Sequence, residues 1–98
     1  MKDPADSSAT ICRRVVYAGR VQGVGFRYTA HSIARRSPVS GYVKNLADGT
    51  VELVVQGRAD VIESFLDEIN RRFEGHITDC DVREMPVDAG RSRFSIHD

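Results

Sequence analysis

The chain has 98 residues, 41% of them hydrophobic and 29% charged, with Lys plus Arg and Asp plus Glu balanced at 14 each for a formal net charge of zero. This length leaves room for one core and no separate cofactor-binding lobe, and the charge balance argues against a general binder of nucleic acid or anionic membrane, which carries a basic excess. The longest apolar stretches are far too short to cross a bilayer. Residues 1–10 (MKDPADSSAT) contain no apolar run and are no signal peptide, so the reading is a disordered lead-in over 1–10, one folded domain over 11–98 and a cytoplasmic location.

Residues 11–18 are rich in β-branched side chains, with Val15, Val16 and Tyr17 at the centre, and predict a first strand. Residues 19–25 (GRVQGVG) hold three glycines in seven positions and predict a loop of unusual backbone angles. From Phe26 to about Arg36, the apolar Phe26, Ala30, Ile33 and Ala34 fall at helical spacing, and Pro38 ends that helix. Residues 41–46 and 50–56 flank Asp48-Gly49, a hairpin signal. In the second of these strands Val51, Leu53 and Val55 alternate with Glu52 and Gln56, and Gly57 is expected to break it.

A second helix is predicted from about Asp60 to Phe73. Val61, Ile62, Phe65, Leu66, Ile69 and Phe73 form its apolar stripe, opposite Glu63, Asp67, Glu68 and Arg71. Asp60 and Glu63 suggest a variant capping box. Residues 77–85 read as a weaker strand and 93–96 as a short last one, with Phe94 and Ile96 facing alike. Cys12 and Cys80 are too few for a disulfide scaffold and lack metal-ligand spacing. They read as two small, half-buried hydrophobes on strands, and the sequence leaves open whether they are free or bridged.

The order β-α-β-β-α-β plus a short tail strand predicts an α+β, ferredoxin-like sandwich: an antiparallel sheet with two helices on one face. Strands one and two, joined by a helical crossover, then run the same way with strand three between them. Their C-terminal ends share one edge of the sheet, which places Asn45 beside the loop over 19–25.

That loop feeds straight into a helix. N–H groups at a helix start lack internal partners and sit at the positive end of the dipole, and glycines let several of them turn inward as an anion nest. Three glycines exceed what a plain connection needs. Arg27 stands in the first helical turn, where a cation opposes the macrodipole at a cost of a few tenths of a kcal/mol. An exposed Arg paired with a surface carboxylate would explain it, but an Arg fork beside inward N–H groups is also how a phosphate dianion is held. Neither common nucleotide motif fits. Walker A needs Lys-Ser/Thr where this loop has Phe26-Arg27, and the dinucleotide fingerprint needs G-x-G-x-x-G where Gly19, Gly23 and Gly25 are spaced G-x-x-x-G-x-G.

GRVQGVGFR (residues 19–27), GYVKN (41–45) and DGTVE (48–52) together resemble the double signature of the acylphosphatases, and the resemblance runs from about Val15 to Ile96. It implies hydrolysis of acyl phosphates to carboxylate and phosphate without a covalent intermediate, a metal or a cofactor. It further implies that the N–H groups of Gln22, Gly23, Val24, Gly25, Phe26 and Arg27, with the Arg27 side chain, bind the phosphate while Asn45 orients the attacking water. A neutral amide suits that task, since a carboxylate would repel the dianion. Inorganic phosphate is then both product and competitive inhibitor, and the protein is read as a monomer. The chain departs from its relatives at Ser37-Pro38-Val39-Ser40, at Ala47 and at Arg58, which leaves Arg27 and Asn45 intact.

Three other readings compete with this one. A non-catalytic phosphate-binding module would keep Arg27 and the loop without needing Asn45. A single-strand nucleic-acid binder needs exposed aromatics on central strands, and outside the short tail strand only Tyr17 and Tyr42 lie on predicted strands. The similar module inside larger hydrogenase-maturation proteins is suggested by nothing beyond the one domain. His31 falls one turn after Arg27, at the rim at most, and is read as solvated, while His76 and His97 have no ligand geometry around them. Arg13 and Arg14, on opposite faces of a strand, cannot form one patch.

Overall fold

The computed structural model describes residues 8–98. Its elements are β1 (Thr10–Gly19), α1 (Phe26–Ala34), β2 (Ser40–Asn45), β3 (Val51–Arg58), α2 (Ala59–Arg72), β4 (Ile77–Met85) and β5 (Phe94–His97). Of the lead-in read over 1–10, the first seven residues lie outside the described ones. Ala9 already accepts a hydrogen bond from the Ala59 N–H at 3.0 Å, and β1 begins at Thr10.

The strand order is β4-β1-β3-β2-β5. β1 and β2 each pair antiparallel with β3, which sits between them, so they run the same way as the crossover argument requires. The four strands β1–β4 pair antiparallel as expected, and the tail strand β5, whose partner the sequence left open, pairs parallel with β2 and makes the five-stranded sheet mixed. The physical reason lies in the connection. Met85 is level with Cys12 and Phe94 with Gly41, so residues 86–93 cross the end of the sheet where β1 and β2 begin. The returning strand can then only run alongside β2. Gln56 pins this crossing, donating to the Asp88 carbonyl at 2.9 Å and accepting from the Asp88 N–H at 2.9 Å.

Both helices cover one face. Val15, Tyr17, Val43, Val51, Leu53 and Val55 from the strands pack with Phe26, Ala30, Ile33, Ile62, Phe65, Ile69 and Phe73 in a single buried core. Phe26 anchors it, its ring centre 4.9 Å from Tyr17 and 4.5 Å from Phe73. Rings in such offset contact contribute beyond their buried area.

Several local expectations need correction. α1 stops at Ala34 rather than near Arg36, because Arg36 and Ser37 donate to the carbonyls three residues back (3.0 and 3.1 Å) and tighten the last turn ahead of Pro38. Gly57 does not break β3; it pairs with Ile11. A Cβ there would lie 3.0 Å from the Pro38 carbonyl, so glycine serves the close approach of two backbones. No capping box forms at α2. Asp60 instead accepts from Arg58 (2.9 and 3.1 Å) and from the Val61 N–H (2.8 Å). Cys12 is buried and Cys80 exposed, both free, so only the first behaves as a core hydrophobe.

The paired arginines are ion-paired on separate faces. Arg13 meets Glu63 of α2 at 2.9 Å and Glu84 at 3.0 Å, whereas Arg14 meets Glu52. Arg36 meets Glu68 at 3.1 Å.

Candidate active site

The loop between β1 and α1 is held at both ends by buried side chains, Val21 at 0% and Phe26 at 1% exposure, while the residues between them reach the surface. Anchors on either side let a glycine-rich segment keep one shape. Gly25 occupies the N-cap of α1 at φ 80° and ψ 19°, the left-handed region that side chains disfavour. Gly23 lies there too, at φ 78°, and a Cβ at either glycine would meet nothing within 4 Å. Backbone conformation, and not space, therefore demands these glycines. The helix start has no side-chain cap and no acidic residue in its first turn, so neither competes there with an external anion.

The hairpin edge closes the other side. Gln22 donates from Nε2 to the Leu46 carbonyl and to the Thr50 carbonyl, both at 2.8 Å, and so latches the loop onto the β2–β3 turn. That turn is a three-residue loop with Gly49 at φ 93°. The Leu46 N–H bonds the Thr50 carbonyl at 2.9 Å, and Asp48 accepts from the Thr50 hydroxyl at 2.6 Å and N–H at 3.1 Å. The Thr50 hydroxyl first, then its N–H, hold the Asp48 carboxyl below its ordinary range. Asn45, the last residue of β2, follows the alternation that turns Val43 toward the helices.

These elements enclose a cavity of about 220 Å³ lined by Val21, Gly23, Gly25, Phe26, Arg27, Tyr28, Asn45 and Ile96. Asn45 Oδ1 is buried there with no hydrogen-bond partner among the described residues. Buried amide oxygens are nearly always paired, so this one is available to something that enters the site. Arg27 donates from Nη1 to the His97 carbonyl of β5 at 2.8 Å. One arm of the guanidinium is thus fixed to the backbone, which orients the remaining N–H groups of the fork. Among the described residues no three His, Cys, Asp or Glu side chains gather into a metal-ligand set. A larger cavity, about 300 Å³, lies at the opposite end of the sheet. Its lining Arg91 is opposed by Asp88 at 3.9 Å, and it has neither a helix start nor an unpaired amide.

Of the residues singled out from sequence, Gly23, Gly25, Phe26, Arg27 and Asn45 come together around one cavity. Gln22 and Val24 flank it, Gln22 through its latch. His31 lies further along α1, 6.3 Å between ring centres from Phe94, and does not line the cavity. His97 stacks on Tyr42 at 4.5 Å, and His76 sits edge-on to Phe73. Sequence reasoning missed Val21, Tyr28, Ile96 and the carbonyl of His97. The signal for Ile96 was weak: it shares a strand face with Phe94, but nothing in the sequence set that strand beside β2.

Known proteins resemble this chain in sequence and fold. The acylphosphatase family model matches residues 13–96. An acylphosphatase from Methanospirillum hungatei is 40% identical over 84 residues, covering 84% of this chain and 91% of that protein. The crystal structure of an acylphosphatase from Bacillus subtilis superposes with a TM-score of 0.81 at 37% identity, covering 89% of this chain and 98% of its own. Full-length HypF, crystallised in a phosphate- and nucleotide-bound form, matches with a TM-score of 0.80 at 31% identity over 92% of this chain but only 12% of its own. With a family model spanning most of its length and relatives of its own size, the chain belongs to the acylphosphatase family.

Proposed function

We propose that this protein hydrolyses acyl phosphates to a carboxylate and inorganic phosphate, with Arg27 and the loop amides holding the phosphate and Asn45 orienting the water. The observation that carries the reading is the buried, unpaired Oδ1 of Asn45 in the same cavity as Arg27 and an uncapped helix start. The substrate's phosphate would rest against the N–H groups from Gln22 to Arg27 and the free part of the guanidinium. Asn45 Oδ1 would accept a hydrogen bond from the water and aim its lone pair at phosphorus. A water O–P bond forms, the P–O bond to the acyl group breaks, and the carboxylate leaves with that electron pair. The water's proton passes to a phosphate oxygen of the substrate, so no strong base is required of the protein. Catalysis then rests on positioning and on charge stabilisation within a fixed donor set.

The same reading makes the protein a cytoplasmic monomer, with its domain over residues 11–98, that works without metal or cofactor and is inhibited competitively by phosphate. Benzoyl phosphate hydrolysis, followed by ultraviolet absorbance in excess EDTA, tests it. Wild type should turn over, and Arg27→Ala should lose phosphate binding and about 10²-fold or more in turnover, the scale of one preorganised donor. A folded wild type that binds phosphate yet hydrolyses nothing would instead establish a binding module.

A further inference from the structure

Five large apolar side chains are substantially exposed among the described residues: Val24, Tyr28, Val82, Val87 and Ile96. Such residues scattered singly mean nothing, and Val82 and Val87 are of that kind, but the other three gather at one place. Tyr28 and Ile96 both line the cavity that holds Arg27 and Asn45, and Val24 stands on the loop between the lining Gly23 and Gly25. Tyr28 is the extreme case. It is 77% exposed and makes no hydrogen bond, ion pair or ring contact with any described residue. An aromatic ring left in water beside a polar site gains by covering an apolar partner.

The two walls belong to the elements that hold the phosphate end. Tyr28 follows Arg27 in the first turn of α1, and Ile96 precedes His97, whose carbonyl grips Arg27. An acyl phosphate anchored by its phosphate at Arg27 must project its acyl group from that point. The donors at the helix start take the charged end, which leaves Tyr28 and Ile96 to meet the uncharged one. Ile96 has no polar atom, and Tyr28 offers one hydroxyl at the tip of an otherwise apolar ring, so most of what these two present to the acyl group is apolar.

We propose that Tyr28 and Ile96 form an apolar rim that receives the acyl group and selects aryl or branched acyl phosphates over small polar ones. The inference rests on the acyl phosphate reading above and narrows it to a substrate class. Its test compares kcat/KM for benzoyl phosphate with kcat/KM for acetyl phosphate in the full chain, as wild type, Tyr28→Ala, Ile96→Ala and Tyr28→Phe. Comparing the ratio between variants cancels the intrinsic lability of each anhydride. Each alanine variant should lower the benzoyl-to-acetyl ratio by about tenfold, within the range of apolar-pocket discrimination, and Tyr28→Phe should restore it. A ratio unchanged in both alanine variants, or an equal fall on both substrates, overturns the rim while leaving acyl phosphate hydrolysis standing. Absence of turnover on either substrate by folded wild type overturns both.

Discussion

Replacing Asn45 by alanine separates a residue kept for chemistry from one kept for stability. In the folded protein Oδ1 is buried without a partner, a state that costs on the order of 1–3 kcal/mol. Removing the amide relieves that cost and forfeits about 1 kcal/mol of packing from the atoms lost. The variant is therefore expected between equal to wild type and about 2 kcal/mol more stable when unfolded in urea. Turnover of benzoyl phosphate should nevertheless fall by about 10²-fold or more, as when one preorganised group is deleted. Phosphate binding should persist, because Arg27 and the loop amides remain. Phosphate at 100 times its Kd should still raise stability by about 2.7 kcal/mol in the variant. A loss of 3 kcal/mol or more on mutation would mean that Asn45 is a structural residue, and wild-type turnover would remove it from the mechanism.

Three further outcomes follow from the fold. Gly41→Ala should cost about 2–5 kcal/mol by thermal unfolding, since a Cβ would collide with the Val54 carbonyl at a residue with φ 139°. Gly25→Ala, with open space around it, should cost only about 1 kcal/mol; equal losses at both sites would refute the distinction between clearance and conformation. Phe65→Ala, which empties a core position only 2% exposed, should lose roughly 3–5 kcal/mol without altering kcat in the molecules still folded. Burial raises the Tyr17 phenol well above its ordinary value of 10.0, so its contribution is intact below that pH and is lost as pH rises beyond it, where only the unfolded chain ionises. Tyr17→Phe should accordingly flatten the alkaline fall in stability, and an unchanged alkaline limb would show that another group controls it.

How far the sequence carries the reader depends on where each contact is encoded. Val51, Leu53 and Val55 alternate within a few residues, and the α2 stripe repeats within one helix, so these elements are legible locally. The neighbourhood of Asn45 and the glycine loop was also legible, because crossover topology alone dictates it. The parallel docking of β5 was not. A four-residue strand carries too little pattern to name its partner, and its placement depends on the Gln56–Asp88 bonds across 32 residues. With β5 unplaced, Ile96 and the His97 carbonyl could not be assigned to the site. Gly57 misled for a related reason: the backbone it must admit, at Pro38, is distant in sequence.

The grip of His97 on Arg27 joins residues 70 apart in sequence through the shortest strand of the sheet, at its edge. Edge segments of this kind open by sub-global fluctuation at free energies below that of complete unfolding. Each such opening releases the guanidinium and removes a wall of the cavity while the core of Tyr17, Phe26 and Phe73 stays packed. Catalytic competence should therefore have its own melting curve, lying at lower urea than the loss of far-ultraviolet dichroism, with β5 amides exchanging hydrogen faster than those of β3. Coincident curves would mean that the last strand opens only with the whole molecule. If they separate, the working range of the enzyme is set by four residues rather than by the stability of its core.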